Sequence, residues 1–140
     1  FTQAQISTLA QFSAVPIVST QPELSPLRID IVENGELDQA IAMNLAVLAW
    51  SPLGGGRIGD PQNAREQNVA ATLSAVATTH GVSRTAAAYS WIMAHPARPI
   101  PIVGSQNPAR IAEAADAFKI QWTRADWYSV LVAARGVPLP

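Results

Sequence analysis

The sequence predicts an α/β fold with about three parallel strands and helices on their outer side. Three observations lead there. Short, β-branched apolar segments alternate along the chain with segments of helical periodicity. The middle apolar segment, Leu45 to Trp50, is almost uniformly apolar, as in strands that parallel sheets bury on both faces. Turn-forming stretches rich in Gly, Pro and Ser follow the strands and precede helices, the punctuation of repeated strand–helix units.

Taken in order, Ala4 to Phe12 is a short helical pattern with Ile6, Leu9 and Ala10 on compatible positions. Pro16 to Gln21 is short, β-branched and bounded by prolines, and is predicted as a buried strand. Gly35 to Asn44 carries Leu37, Ala40 and Ile41 on one side and predicts a modest helix before the second strand, Leu45 to Trp50. Ser51 to Arg57 holds three consecutive glycines and a proline, so no helix or strand persists there.

Arg65 to His80 places Val69, Leu73, Val76 and Ala77 on one helical face, with Gly81 set to end it. Ser83 suits an N-cap for an alanine-rich helix over Ala86 to Ala94, which Pro96 and Pro99 stop. Pro99 to Val103 is the third strand, with its prolines in the first part. Asn107 and Pro108 are placed as N-cap and first residue of a further helix, whose apolar stripe is Ile111, Ala115 and Phe118. Thr123 to Asp126 resembles a capping box with Asp in place of Glu and opens a last helix that Gly136 ends.

Composition narrows the function. In 140 residues, 49% are apolar and 14% charged, so a sizeable core is available and one face is expected to be covered by protein beyond this sequence. A formal charge of -1 offers no basic surface for nucleic acid or an acidic membrane, and no apolar run approaches membrane-spanning length. Two histidines and no cysteine make a dedicated metal site improbable. The first residues, Phe1-Thr2-Gln3, read as a cut within something longer. Three strands cannot close a barrel, and an open sheet of three leaves its edges unpaired, which again points to a missing partner.

Parallel α/β proteins bind ligands beyond the C-terminal ends of their strands. Gln21, Ser51 to Arg57 and Gly104 to Asn107 lie there. Gly104-Ser105-Gln106-Asn107 leads from a strand into a helix N-terminus, where free N–H groups and the helix dipole favour an anion. Arg110, in the first turn of that helix, offers a guanidinium fork suited to phosphate; the same spacing equally suits a solvated surface arginine. The glycines after Trp50 allow backbone amides to approach a ligand, although a flexible loop accounts for the pattern as well. The stretch is neither a P-loop nor a G-x-G-x-x-G fingerprint. Trp50 could stack on a flat ring or pack in the core.

Three motifs in register then carry a resemblance. They are Ala49-Trp50-Ser51-Pro52-Leu53-Gly54-Gly55-Gly56, Ile100-Pro101-Ile102-Val103-Gly104-Ser105 and Arg110-Ile111-Ala112-Glu113-Ala114. Upstream stands Val18-Ser19-Thr20-Gln21-Pro22-Glu23-Leu24-Ser25, and the chain closes with Ile120-Gln121-Trp122-Thr123 and Trp127-Tyr128. Together they resemble the aldo-keto reductase family, in a bacterial oxidoreductase branch, over essentially the whole chain.

The resemblance implies a (β/α)8 barrel of which residues 1–140 supply the C-terminal part, roughly the last three strands. It implies NADPH as cofactor, reduction of an aldehyde or ketone to an alcohol, and a cytoplasmic setting. Gln21 would bond the nicotinamide carboxamide and Trp50 would stack on its ring. Ser51, Leu53, Gly54 and Gly55 would line the pyrophosphate. Ser105 and Arg110, with Gln106 and Asn107 in the same loop, would receive the 2′-phosphate, and Glu113 the adenine. Gly104 stands where many members have lysine, and Ala114 where many have asparagine. The family's catalytic Asp, Tyr, Lys and His belong to the other half of the barrel, so this chain alone is expected to be inactive. Tyr89, Tyr128, Lys119, His80 and His95 match none of their motifs. The expected partners are a small carbonyl substrate and the missing N-terminal half or a second copy. The rival reading is a non-catalytic half-barrel that binds nucleotides or plays a structural part.

Overall fold

Strand β1 is Ser19–Thr20, β2 is Ala46–Ala49 and β3 is Ile100–Pro101. They form one parallel sheet in the order β1–β2–β3, as the alternation of segments predicts. The structure is a computed structural model and describes residues 1–139. The first half of β2 pairs with β1 (Ser19 with Ala46, Thr20 with Val47) and its second half with β3 (Leu48 with Ile100, Ala49 with Pro101). This stagger is the shear of strands tilted about a common axis. Beyond β1, Pro22 O accepts the Trp50 N–H at 3.1 Å and Trp50 O accepts the Leu24 N–H at 3.3 Å, so the pairing carries on toward the strand ends.

The strands differ from expectation in length and burial. The outer two are shorter than the apolar segments around them, because each has a neighbour on one side only. Pro16 to Gln21 is not a buried strand: Val18 is 67% exposed and Ser19 is exposed as well. On β2, Val47 and Ala49 face the helices and are buried, whereas Ala46 is exposed and Leu48 half-buried on the opposite face. One face of the sheet is therefore open.

The helices are α1 (Gln3–Phe12), α2 (Asp30–Glu33), α3 (Glu36–Ala42), α4 (Ala64–Thr79), α5 (Arg84–Met93), α6 (Pro108–Ala114) and α7 (Arg124–Arg135). Their ends follow local chemistry. Ser83, Asn107 and Thr123 accept backbone N–H groups of the first turns they cap, and Gly136 ends α7 in the left-handed region at φ +74°. Thr2 and Gln5 make a full reciprocal capping box, unforeseen in the sequence. The expected box at Thr123 is only half made. Asp126 takes the Thr123 hydroxyl at 2.6 Å, its side chain being one methylene shorter than the Glu that reaches back to the cap N–H. The short α2 was not expected, since four residues carry too little periodicity to be seen.

The stripe predicted on α6 does not face the core. Ile111 is exposed on α6, which buries no residue, and the tightening into a 3-10 turn over Ala115–Lys119 rotates the side chains there and leaves Phe118 78% exposed.

The core lies between the helix-facing side of the sheet and α4, α5 and α7. Val69, Leu73, Val76 and Ala77 of α4 are buried as expected, and α5 is buried from Ala86 to Ile92, its alanines allowing close packing. No helix among the described residues is long and apolar enough to cross a membrane.

His95, just past α5, accepts the Ala97 N–H through Nδ1 at 3.1 Å. Burial, partly opposed by the charge of Asp38, holds its pKa below the ordinary 6.5. The unfolded chain therefore takes up this proton first as pH falls. The contribution to stability is complete above about pH 6.5 and is lost as pH drops from there through the folded pKa. Urea midpoints are expected to fall between about pH 7 and pH 5, with the fall reduced in His95→Gln. An unchanged fall in that variant assigns the pH dependence to other groups.

Candidate functional site

The loop after β2 is ordered by its own hydrogen bonds. Ser51, at φ +51°, accepts the Gly54 N–H through its carbonyl at 2.8 Å and the Gly55 N–H through its hydroxyl at 3.2 Å. The Gly56 N–H donates to Leu53 O at 3.1 Å and Ile58, buried, donates to the same oxygen at 3.2 Å. The glycine amides, expected to be available for a ligand, are thus spent within the loop in this state. Gly54 is buried at φ +59°, and a Cβ there would lie 2.9 Å from Leu27 Cδ1. Gly54→Ala is expected to cost about 1–3 kcal/mol of stability, read from denaturant midpoints.

The loop after β3 is built by two side chains. Ser105 Oγ accepts the Asn107 N–H at 3.1 Å, and Asn107 Oδ1 accepts the Ala109 N–H at 2.9 Å. Asn107 and Ser105 thereby set the turn that delivers Arg110 on the first turn of α6. Arg110 is exposed and makes no ion pair among the described residues.

Between these loops, at the C-terminal ends of β2 and β3, lies a cleft of about 620 Å³. Of the residues singled out in the sequence, Ser51, Leu53, Gly55, Gly104, Ser105, Arg110 and Glu113 line it. Gly54 sits beneath the loop against Leu27, and Gln106 and Asn107 are exposed outside the cleft lining. Ala114 faces instead a separate apolar groove with Tyr89, Ile100 and Phe118. Gln21 and the half-exposed Trp50 line a second groove of about 810 Å³ along the open β1 side, together with Glu23 and Arg28. The candidate residues thus fall into two neighbouring hollows.

Thr85 and Tyr89, one turn apart on α5, also line the cleft and were not foreseen as site residues. The only sequence signal was their i, i+4 spacing on a helix following the glycine loop. The Tyr89 hydroxyl is pushed above the usual phenol range by burial and then by the negative charge of Glu113, so it stays protonated and can donate. Lys119 pairs with Asp116 at 2.6 Å, a helix-surface pair outside the cleft. Among the described residues there is no group of three metal-ligating side chains.

The family model described as Aldo/keto reductase family matches residues 1–131. The chain is 61% identical, over all its 140 residues, to 6-dehydroglucose reductase of Novosphingobium aromaticivorans and covers 46% of that protein. It is 34% identical over 120 residues to 6-dehydroglucose reductase of Agrobacterium fabrum, covering 86% of this chain and 39% of that one. Among solved structures, a thermostable aldo-keto reductase in complex with the inhibitor epalrestat superposes with a TM-score of 0.82 at 19% identity. That match covers 95% of this chain and 46% of the other. The last likeness establishes the fold, part of a (β/α)8 barrel. The chain spans less than half the length of these relatives. With the family match running almost from end to end of the cleft-bearing sheet, the chain belongs to the aldo/keto reductase family of oxidoreductases.

Proposed function

We propose that this chain supplies the cofactor loops of an NADP-dependent reductase that converts aldehydes or ketones to alcohols. The observation that carries the reading is the cleft at the ends of β2 and β3. It gathers the Arg110 guanidinium, which has no ion-pair partner among the described residues, Ser51 and Ser105, the carboxylates of Asp60 and Glu113, and the glycine turn. That donor set suits the parts of a phosphorylated adenine dinucleotide. Arg110 and Ser105 would hold the 2′-phosphate through charge-assisted hydrogen bonds, and Glu113 would accept from the adenine amine. Ser51, Leu53, Gly54 and Gly55 would flank the pyrophosphate. Gln21 and Trp50, in the adjoining groove, would hold the nicotinamide end. The bound cofactor supplies the hydride. The residues named here bind and orient it, and the proton for the alcohol oxygen would come from the catalytic residues of the other half of the barrel. The 61% identical relative makes 6-dehydroglucose the first carbonyl compound to test.

Titration with NADPH and NADH, followed by tryptophan quenching and calorimetry, tests the reading. Binding that favours NADPH and weakens by about 2 kcal/mol in Arg110→Ala, roughly thirtyfold, is expected. Equal affinity for the two cofactors, or an Arg110→Ala variant that binds normally, overturns it. Gly104 adds a second test in the opposite direction. Nothing lies within 4 Å of a Cβ built there, so a longer side chain fits. Gly104→Lys is expected to tighten NADPH binding severalfold, roughly 1 kcal/mol, with little effect on NADH.

A further inference from the structure

Glu66 is the single acidic or basic residue with a buried side chain among the described residues, at 3% exposure. A buried carboxylate persists only where its oxygens are well satisfied, so its partners show what it holds in place. Both oxygens are used. Oε1 accepts from Arg57 Nη1 at 2.9 Å and Oε2 from the Gln62 N–H at 2.7 Å. The Glu66 N–H in turn donates to the Asn63 cap at 3.0 Å, which fixes the start of α4. Arg57 spends its second donor inside the glycine loop, from Nε to Gly54 O at 3.1 Å. Arg84 of α5 donates to Gly59 O at 3.0 Å, a further tether on the same loop.

The consequence follows from peptide geometry. A carbonyl and the next N–H point in opposite directions across a planar peptide. Gly54 O is held toward Arg57 by both the Arg57 backbone N–H at 3.3 Å and its Nε at 3.1 Å, which turns the Gly55 N–H the other way, onto Ser51 Oγ at 3.2 Å. Glycines at φ +59° and +66° can adopt many other orientations, and the Arg57 and Glu66 side chains add a hold tied to α4 to the loop's own backbone hydrogen bonds.

We infer that Glu66, acting through Arg57, is a positioning residue that latches the Ser51–Arg57 loop in its cofactor-receiving shape. This rests on the cofactor reading above. Neither Glu66 nor Arg57 lines the cleft, but Arg57 follows directly on Gly56, which does. The effect of the latch is on how long a ligand stays, because an unlatched loop opens without first breaking the Arg57–Glu66 pair, whose carboxylate is buried and whose guanidinium is half-exposed.

The test uses the whole 140-residue chain, with Glu66→Gln, Arg57→Ala, the double variant, Arg57→Lys, and Glu33→Gln as a control. The control removes the charge from a different ion pair, Arg135–Glu33 at 3.0 Å, away from the loop. Hydrogen exchange at the Gly54–Ile58 amides reads the latch without any cofactor, and stopped-flow NADPH dissociation reads its purpose. Each single variant is expected to speed both about tenfold, with the association rate unchanged. The double variant should be no faster than the faster single, because the two residues form one device. Arg57→Lys should fall between, since it keeps the charge but lacks the guanidinium's fixed fork, whose separate nitrogens reach Gly54 O and Glu66. It also keeps the test alive if Glu66→Gln does not fold.

Unchanged exchange at these amides in a folded variant, additive effects in the double, or an equal effect of Glu33→Gln overturns the latch. Normal NADPH release from a chain whose loop amides have become labile also overturns it and leaves the cofactor reading standing. A wild-type chain that takes up no NADPH overturns the cofactor reading and the latch's role in it.

Discussion

Trp91→Ala is expected to destabilise the chain by about 3–5 kcal/mol, a large part of the 5–15 kcal/mol that holds an ordinary domain folded. Trp91 is 1% exposed and stacks on Trp127 with ring centroids 5.0 Å apart and planes 12° from parallel. The two rings also exchange hydrogen bonds with each other's backbone. Trp91 Nε1 donates to Trp127 O at 3.0 Å, and Trp127 Nε1 donates to Trp91 O at 3.0 Å. Trp91 O lies in the last turn of α5, where carbonyls lose their helical partners, so the Trp127 indole serves as a cap for that helix. Removing the Trp91 ring opens a cavity and deprives Trp127 of its stacking partner together. Trp91→Phe separates the effects. It keeps most of the volume, loses the N–H, and should cost about 1–2 kcal/mol. Denaturation followed by far-ultraviolet circular dichroism measures both. A Trp91→Ala cost below that of Trp91→Phe would show that the pair is not a core element.

The Trp pair illustrates what the sequence concealed. Trp91 and Trp127 stand 36 positions apart on two helices, and no periodicity links them. Features set within a few residues were legible: Ser83, Asn107–Pro108 and Gly136 bound their helices as read, because caps act through their own neighbours. Strand burial was not, because it is set by what packs on the open side of the sheet, which the local pattern around Val18 and Ile100 does not report. The site divides the same way. Ser51, Ser105 and Arg110 were found because parallel topology brings strand-end loops together whatever their detail. Tyr89 and Thr85 were missed because they enter the cleft from a helix whose pattern reads as packing. Glu66 was missed although Asn63-x-x-Glu66 has the spacing of a helix start; what makes it special is Arg57, nine residues back across a loop.

The open sheet yields the second large effect. Among the described residues β1 and β3 each present an unpaired edge, with exposed apolar side chains nearby: Val15 and Val18 before β1, Ile100 within β3 and Phe118 beside it. In a closed barrel neither edge exists, because further strands pair with both and their side chains fill the inner face. The energy of covering these surfaces is the drive for association, at about 25 cal/mol per Å² of apolar area removed from water. The 140-residue chain by itself is therefore expected to self-associate or bind an apolar dye, measured by sedimentation and dye fluorescence, and, on the proposed function, to oxidise no NADPH with a carbonyl substrate. Adding a polypeptide that carries the part of the Novosphingobium relative which this chain does not match should suppress both behaviours. On the proposed function it should also raise NADPH oxidation from undetectable to measurable, because the added strands would meet both edges and carry the residues that would deliver the proton. Arg110→Ala in the mixture should then raise the KM for NADPH, while Trp91→Ala should abolish complementation altogether by removing the fold that receives the partner. A sharply melting monomer that binds no dye would mean that the exposed edges are stable as they stand, and that closure of the barrel is not what this sheet lacks.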